Sequence, residues 1–211
     1  MNDSVELLKN LKSAPVIAIL RGVTPDKVMA IADQLVLAGV NVIEVPLNSP
    51  DPLKSIQLLR SELGPEIIVG AGTVLTVKDV EAIAKAGAQI CISPNLDLDV
   101  VAAAHKNHLV SIPGIATSSE FFQAYKNDVR IMKLFPFSNL GIPFMKSLQS
   151  VSPTDACLVP VGGVHIEDTF ELVQAGALAV GIGNSLYDPK ISKEEFIERC
   201  SSVAKVISQF A

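Results

Sequence analysis

At 211 residues, 49% of them hydrophobic, the chain can bury one sizeable core, and a single domain over 1–211 is expected. A formal charge of -5, with no basic block and no aromatic-basic interleaving, excludes the electrostatic footprint of a nucleic-acid binder. No apolar run approaches the ~18 residues of a membrane span, and Met1-Asn2-Asp3-Ser4-Val5-Glu6 lacks the basic-then-apolar pattern of a secretory signal, so a soluble cytoplasmic protein is expected.

In chain order, a short helix over residues 4–12 comes first and would cap one end of the fold. Apolar or β-branched runs then recur at regular intervals, each followed by a polar or glycine turn and a helical pattern. They lie at residues 16–20, 42–45, 67–70, 90–92, 110–112, 131–134, 158–161 and 179–182. Thr24-Pro25-Asp26 opens the helix after the first run, and Ala38-Gly39 closes it. Ala86-Gly87 and Ala175-Gly176 close two later helices, and a last helix spans about residues 193–209. Eight strands and eight following helices, with no linker, predict an α/β fold of the closed (β/α)8 TIM-barrel type over an open doubly wound sheet.

Cys91, Cys157 and Cys200 are an odd number without metal-ligand spacing and are expected to be buried reduced thiols. His105, His108 and His165 show no ligand pattern either, and a solvated face accounts for them. No metal and no cofactor are predicted.

Lys133 stands inside the apolar run Val129-Arg130-Ile131-Met132-Lys133-Leu134-Phe135-Pro136, where a cation is costly to bury. Desolvation favours the neutral amine, the form that attacks a carbonyl carbon. To do so near neutral pH its pKa must fall from about 10.4 to about 7 to 8, a shift worth roughly 4 kcal/mol. The neighbours Ile131, Leu134 and Phe135 supply desolvation, and Arg21 would add like-charge repulsion if it shares the barrel mouth. Glu44 sits in a similar run, Val42-Ile43-Glu44-Val45-Pro46. A lysine and a carboxylate at strand ends, where barrel reaction sites collect, point to Schiff-base chemistry with a carboxylate moving protons. For Lys133 taken alone, a structural and a chemical role both remain open.

Six segments in order, EVPLNSP (44–50), VGAGTVL (69–75), ISPNL (92–96), IPGIAT (112–117), MKLFP (132–136) and VGGV (161–164), resemble the 2-keto-3-deoxy-6-phosphogluconate/4-hydroxy-2-oxoglutarate aldolase family. The resemblance implies a cofactor-free class I aldolase, a carbon-carbon lyase on a (β/α)8 barrel. It also implies a homotrimer whose small-molecule substrate is a phosphorylated 2-keto-3-deoxy sugar acid, split into pyruvate and glyceraldehyde 3-phosphate. It makes Lys133 the Schiff-base lysine and Glu44 the general acid/base. It places Thr73, in the Gly70-Ala71-Gly72-Thr73 turn, at the pyruvate carboxylate, and Pro94 and Phe135 in the pocket wall, with Pro113-Gly114 as a neighbouring loop. Packing accounts for these last four residues as well as function does.

Phosphate sites in barrels commonly use the loops after strands 7 and 8, where backbone N–H groups meet the anion. Gly162-Gly163 and Gly181-Ile182-Gly183-Asn184-Ser185 fall there.

Two positions depart from the gluconate-type pattern. Asn48 stands where those members carry a carboxylate-binding arginine, and the LNSP wording is similar to members acting on 2-dehydro-3-deoxy-6-phosphogalactonate. There Arg21, at the end of the first strand, is expected to supply the missing guanidinium while Asn48 faces the sugar chain. Asn184 stands where many members place a phosphate-binding serine, which leaves Asn184 and Ser185 as alternatives. The gluconate epimer and 4-hydroxy-2-oxoglutarate remain rival substrates. An isomerase or decarboxylase using Glu44 as base, and an inactive sugar-phosphate binder, remain rival functions.

Overall fold

The computed structural model describes residues 2–210. Helix α1 (Asn2–Ser13) leads into β1 (Val16–Ile19), α2 (Pro25–Leu37), β2 (Val42–Pro46), α3 (Pro52–Glu62), β3 (Ile68–Gly72), α4 (Val77–Lys85), β4 (Ile90–Ile92) and α5 (Leu98–Lys106). There follow β5 (Val110–Ile112), β6 (Gly114–Ile115), α6 (Ser118–Lys126), β7 (Ile131–Leu134), α7 (Phe137–Gln149), β8 (Cys157–Pro160), α8 (Thr169–Gln174), β9 (Val180–Ile182) and α9 (Lys193–Ile207). All pairings are parallel, in the orders β5-β4-β3-β2-β1-β9 and β6-β7-β8.

Pro113 explains why the fifth strand is in two pieces. It has no N–H for the ladder, yet its carbonyl accepts from Lys133 N at 2.9 Å, so β5 and β6 bridge the two sheets. On the other side Leu178 N donates to Leu158 O at 2.9 Å, and Val161 pairs with Gly181. Eight strand positions therefore close into the α/β barrel that the sequence pattern predicts.

Several local expectations are corrected. Gly114, read as loop, is strand and pairs with Lys133. Gly70 to Gly72 belong to β3 and not to a turn; Thr73 alone makes the turn, at φ 56°. Ile67 and Ala179 fall outside their strands, and Val161 is an isolated bridge. Cys157 opens β8 half-exposed at the barrel's lower rim, whereas Cys91 and Cys200 are buried.

The period of two along each strand sorts the side chains into two cores. Ile17, Ile19, Val42, Ile68, Ile90, Ile92, Ile112, Ile131, Val159 and Val161 fill the interior, and Leu7 and Leu11 of α1 plug its lower end. Between strands and helices lies the larger cluster, including Val16, Ile43, Val69, Met132, Leu134 and Phe121. Glu44 is two residues beyond Val42, and Lys133 two beyond Ile131. The register that turns those apolar residues inward therefore turns both ionisable ones inward as well.

Candidate active site

Glu44 and Lys133 occupy the upper layer of the barrel interior, at 2% and 6% exposure. Both line a small chamber of about 10 Å³ walled by Ile17, Ile19, Ile92, Ile112, Val159, Val161 and Gly181, enough for roughly one water. Both also line the floor of an open cleft of about 450 Å³ above it. Glu44 fits because Gly72 on the neighbouring strand brings no side chain, since a Cβ there would overlap the Glu44 carboxylate; a Cβ on Gly70 would overlap Ile90 instead.

Burial sets the protonation of the pair. It pushes the Glu44 carboxyl up from 4.5 to about 7, against the opposing pull of the Lys133 and Arg21 charges. Burial also lowers the Lys133 amine; Glu44 raises it, and the Arg21 cation adds to the lowering. Among the described residues Glu44 Oε2 has no hydrogen-bond partner, so one lone-pair face stays available to a ligand or water. Lys133 Nζ sits 4.4 Å from the centroid of the Phe135 ring, over its face.

Of the residues singled out in the sequence, the cleft gathers Arg21, Glu44, Lys133, Phe135, Gly162, Gly163, Gly183, Asn184 and Ser185. Asn48, Thr73 and Pro94 lie outside its lining. Asn48 Oδ1 instead accepts from Arg21 Nη1 at 2.7 Å. Thr73 follows Gly72 at the β3 rim in the left-handed region, which is strained for a β-branched residue. Pro94 packs its carbonyl where a Cβ on Gly114 would otherwise stand.

The far end of the cleft is built from two glycine-bearing loops. Gly162 and Gly163 have φ of 91° and 76°. A Cβ on Gly162 would come within 3.0 Å of the Phe135 ring, and one on Gly163 within 2.7 Å of Ser138 Cβ. Ser185 Oγ donates to Val164 O at 2.9 Å, tying the two loops together and committing its proton. The Asn184 side chain is exposed, while its backbone carbonyl accepts from Arg199 Nη1 at 2.7 Å.

The chain matches the family described as "Aldolase: KDPG and KHG aldolase" over residues 7–203. It is 36% identical over 191 residues to the 2-dehydro-3-deoxy-6-phosphogalactonate aldolase of Escherichia coli (strain K12), covering 90% of this chain and 93% of that protein. The chain belongs to the KDPG and KHG aldolase family. It is accordingly an aldolase, a carbon-carbon lyase. A solved native KDPGal structure superposes on this aldolase with a TM-score of 0.88 at 35% identity, covering 93% of this chain and 95% of that one. The KDPG aldolase of Legionella pneumophila, solved with pyruvate captured at low pH as a covalent carbinolamine intermediate, gives a TM-score of 0.80 at 26% identity. That match covers 97% of each chain.

Four residues lining the cleft of this aldolase carry no role in the sequence reading, Ile19, Val161, Val164 and His165, whereas Gly181 belongs to the late glycine loop named there. Ile19 and Val161 carry a readable signal, since each lies two residues beyond an inward neighbour, Ile17 and Val159. In the sequence His165 reads as a solvated histidine. It is exposed, but at the mouth of the cleft, where the turn after Gly162-Gly163 carries it.

Proposed function

We propose that this aldolase works through a Schiff base on Lys133 and cleaves 2-dehydro-3-deoxy-6-phosphogalactonate to pyruvate and D-glyceraldehyde 3-phosphate, with Glu44 as the proton-transfer group. The observation that carries this is the shared chamber of Lys133 and Glu44, where burial drives the amine toward its neutral form and the carboxyl toward neutral pH.

The neutral amine attacks the carbonyl carbon at position 2, and the carbinolamine hydroxyl, protonated by the Glu44 carboxyl, leaves as water to give a cationic iminium. The Phe135 ring face beneath Nζ suits that cation. Glu44 takes the proton from the hydroxyl at carbon 4, through water where the reach requires it, as the bond between carbons 3 and 4 breaks and its electrons enter an enamine. Glyceraldehyde 3-phosphate leaves. The enamine then takes a proton back at carbon 3, and hydrolysis of the iminium frees pyruvate and the amine. A carboxyl poised near 7 can serve as base and acid in turn.

Arg21 takes the carboxylate end of the substrate, with Thr73 and the β3 rim beside it. Gly162, Gly163, Gly183 and Asn184 take the phosphate through backbone and amide N–H groups. Pro94 and Phe135 bound the pocket. Preference for the galactonate epimer rests on Asn48 in place of an arginine and on the likeness to the Escherichia coli enzyme. The second substrate class, the gluconate epimer or 4-hydroxy-2-oxoglutarate, keeps the same chemistry. A homotrimer rests on the family likeness alone, and light scattering measures it. The free thiols suit a reducing cytoplasm. Among the described residues no helix is long and apolar enough to cross a membrane.

Incubation with pyruvate and borohydride, followed by mass spectrometry, tests the reading. A reduced adduct on Lys133 is expected, and its absence overturns the Schiff base. Turnover on the two epimers and on the unphosphorylated acid then ranks the substrates.

A further inference from the structure

The end of β2 reaches over to the end of β1 through two neighbouring side chains. Asn48 Oδ1 accepts from Arg21 Nη1 at 2.7 Å, and Ser49 Oγ accepts from Gly22 N at 3.0 Å. Ser49 is buried, so its hydroxyl is a fixed acceptor. On the opposite side Gly22, at φ 80°, packs so closely on Pro189 that a Cβ would come within 2.7 Å of its ring. The Arg21-Gly22 turn is thus held between the β2 loop and the loop leading to α9. Arg21 itself is exposed and would otherwise sample many rotamers.

We propose that Asn48 is a positioning residue: with Ser49 it clamps the Arg21 turn, so that the guanidinium stays over the cleft with its remaining N–H donors presented to the carboxylate of the oxo acid. The inference rests on the aldolase reading of Arg21. Arg21 lines the cleft and Asn48 does not, which places Asn48 behind the arginine. A guanidinium has five N–H donors, and the bond to Asn48 engages only one of its nitrogens. The acceptor is also uncharged. A carboxylate at the same reach would orient Arg21 but neutralise it, whereas an amide orients it and leaves the full charge for the substrate.

The test uses the full chain and pyruvate as probe, reading the half-saturating concentration for the borohydride-trapped adduct in wild type, Asn48→Ala, Arg21→Ala and the double variant. Asn48→Ala is expected to raise that concentration about ten-fold, with the adduct yield at saturation unchanged. In the Arg21→Ala background it is expected to add nothing further. Asn48→Asp, which keeps the acceptor but adds a charge, is expected to raise it as well. An unchanged value for Asn48→Ala overturns the proposal. So does an equal increment in both backgrounds, since Asn48 would then touch the ligand itself. Should Asn48→Ala not fold, Ser49→Ala probes the other half of the clamp through the same measurement and the same two outcomes. If wild type forms no adduct, the aldolase reading falls first and this inference falls with it.

Discussion

The space where Gly72 would carry a side chain is filled by the Glu44 carboxylate, which crosses from β2 and leans over the end of β3. Gly72 is in extended strand backbone, so alanine suits its conformation and the conflict falls on Glu44 alone. Gly72→Ala is therefore expected to lower turnover about 100-fold by displacing the proton-transfer group, with little change in circular dichroism. Steady-state kinetics on the phosphorylated substrate measures it.

Glu44→Gln removes the group that titrates near 7. Turnover is expected to drop by about 10²–10⁴-fold, and the ionisation near pH 7 in the wild-type rate profile should vanish. Stability moves with it. Because the folded carboxyl titrates near 7 against 4.5 unfolded, the native state holds the extra proton in that window. Stability contributed by Glu44 is complete below pH 4.5 and is lost as pH rises to 7, by about 3 kcal/mol at 1.36 kcal/mol per unit. Urea midpoints at pH 5 and pH 8 should fall less steeply in Glu44→Gln than in wild type.

For Lys133 the sign is opposite. Its folded pKa is lowered, so the unfolded chain binds the proton more readily and stability rises with pH up to the unfolded value of 10.5. Lys133→Met is expected to abolish adduct formation and turnover while leaving the fold neutral to more stable by about 1–3 kcal/mol at pH 7. At roughly 2–4 °C per kcal/mol for a chain of this size, thermal melting resolves the change. The gain should shrink as the pH is raised toward 10.

Arg21→Ala removes the cation facing the substrate carboxylate. The Michaelis constant for pyruvate in the condensation direction is expected to rise about 10- to 100-fold, the range of a hydrogen bond to a charged group. An unchanged constant would refute the assignment.

Asn184 and Ser185 separate by what their hydrogens already do. The Ser185 proton goes to Val164 O, so Ser185→Ala should loosen the loop and cost about 1 kcal/mol of stability. Asn184→Asp puts a negative charge among the donors and should raise the Michaelis constant of the phosphorylated substrate about ten-fold or more. It should leave pyruvate trapping on Lys133 unchanged, and comparison of the two substrates checks this.

The strand pattern was legible because alternation is local. The apolar residues flanking Glu44 and Lys133 mark both ionisable groups as costly to bury, and each could be named from one run of sequence. Pro113 misled the strand assignment because its missing N–H looks like an ending, although the carbonyl still bridges to Lys133. Thr73 was assigned to a turn too long by three residues, since glycines in a strand and glycines in a turn are alike until a neighbour such as Glu44 or Ile90 claims the empty space.

By itself the sequence determined eight βα units, the placing of Glu44 and Lys133 in apolar runs at strand ends, and the glycines of the two late loops. All of these follow from periodicity and backbone freedom over a few residues. Only the tertiary structure decided that Asn48 serves Arg21, that the Ser185 hydroxyl is committed to Val164, and that Ile19, Val161 and His165 wall the cleft. Those bonds join residues 27 and 21 positions apart. Their partners are set by how the closed barrel aligns one strand end with the next, a relation between segments that no single segment encodes.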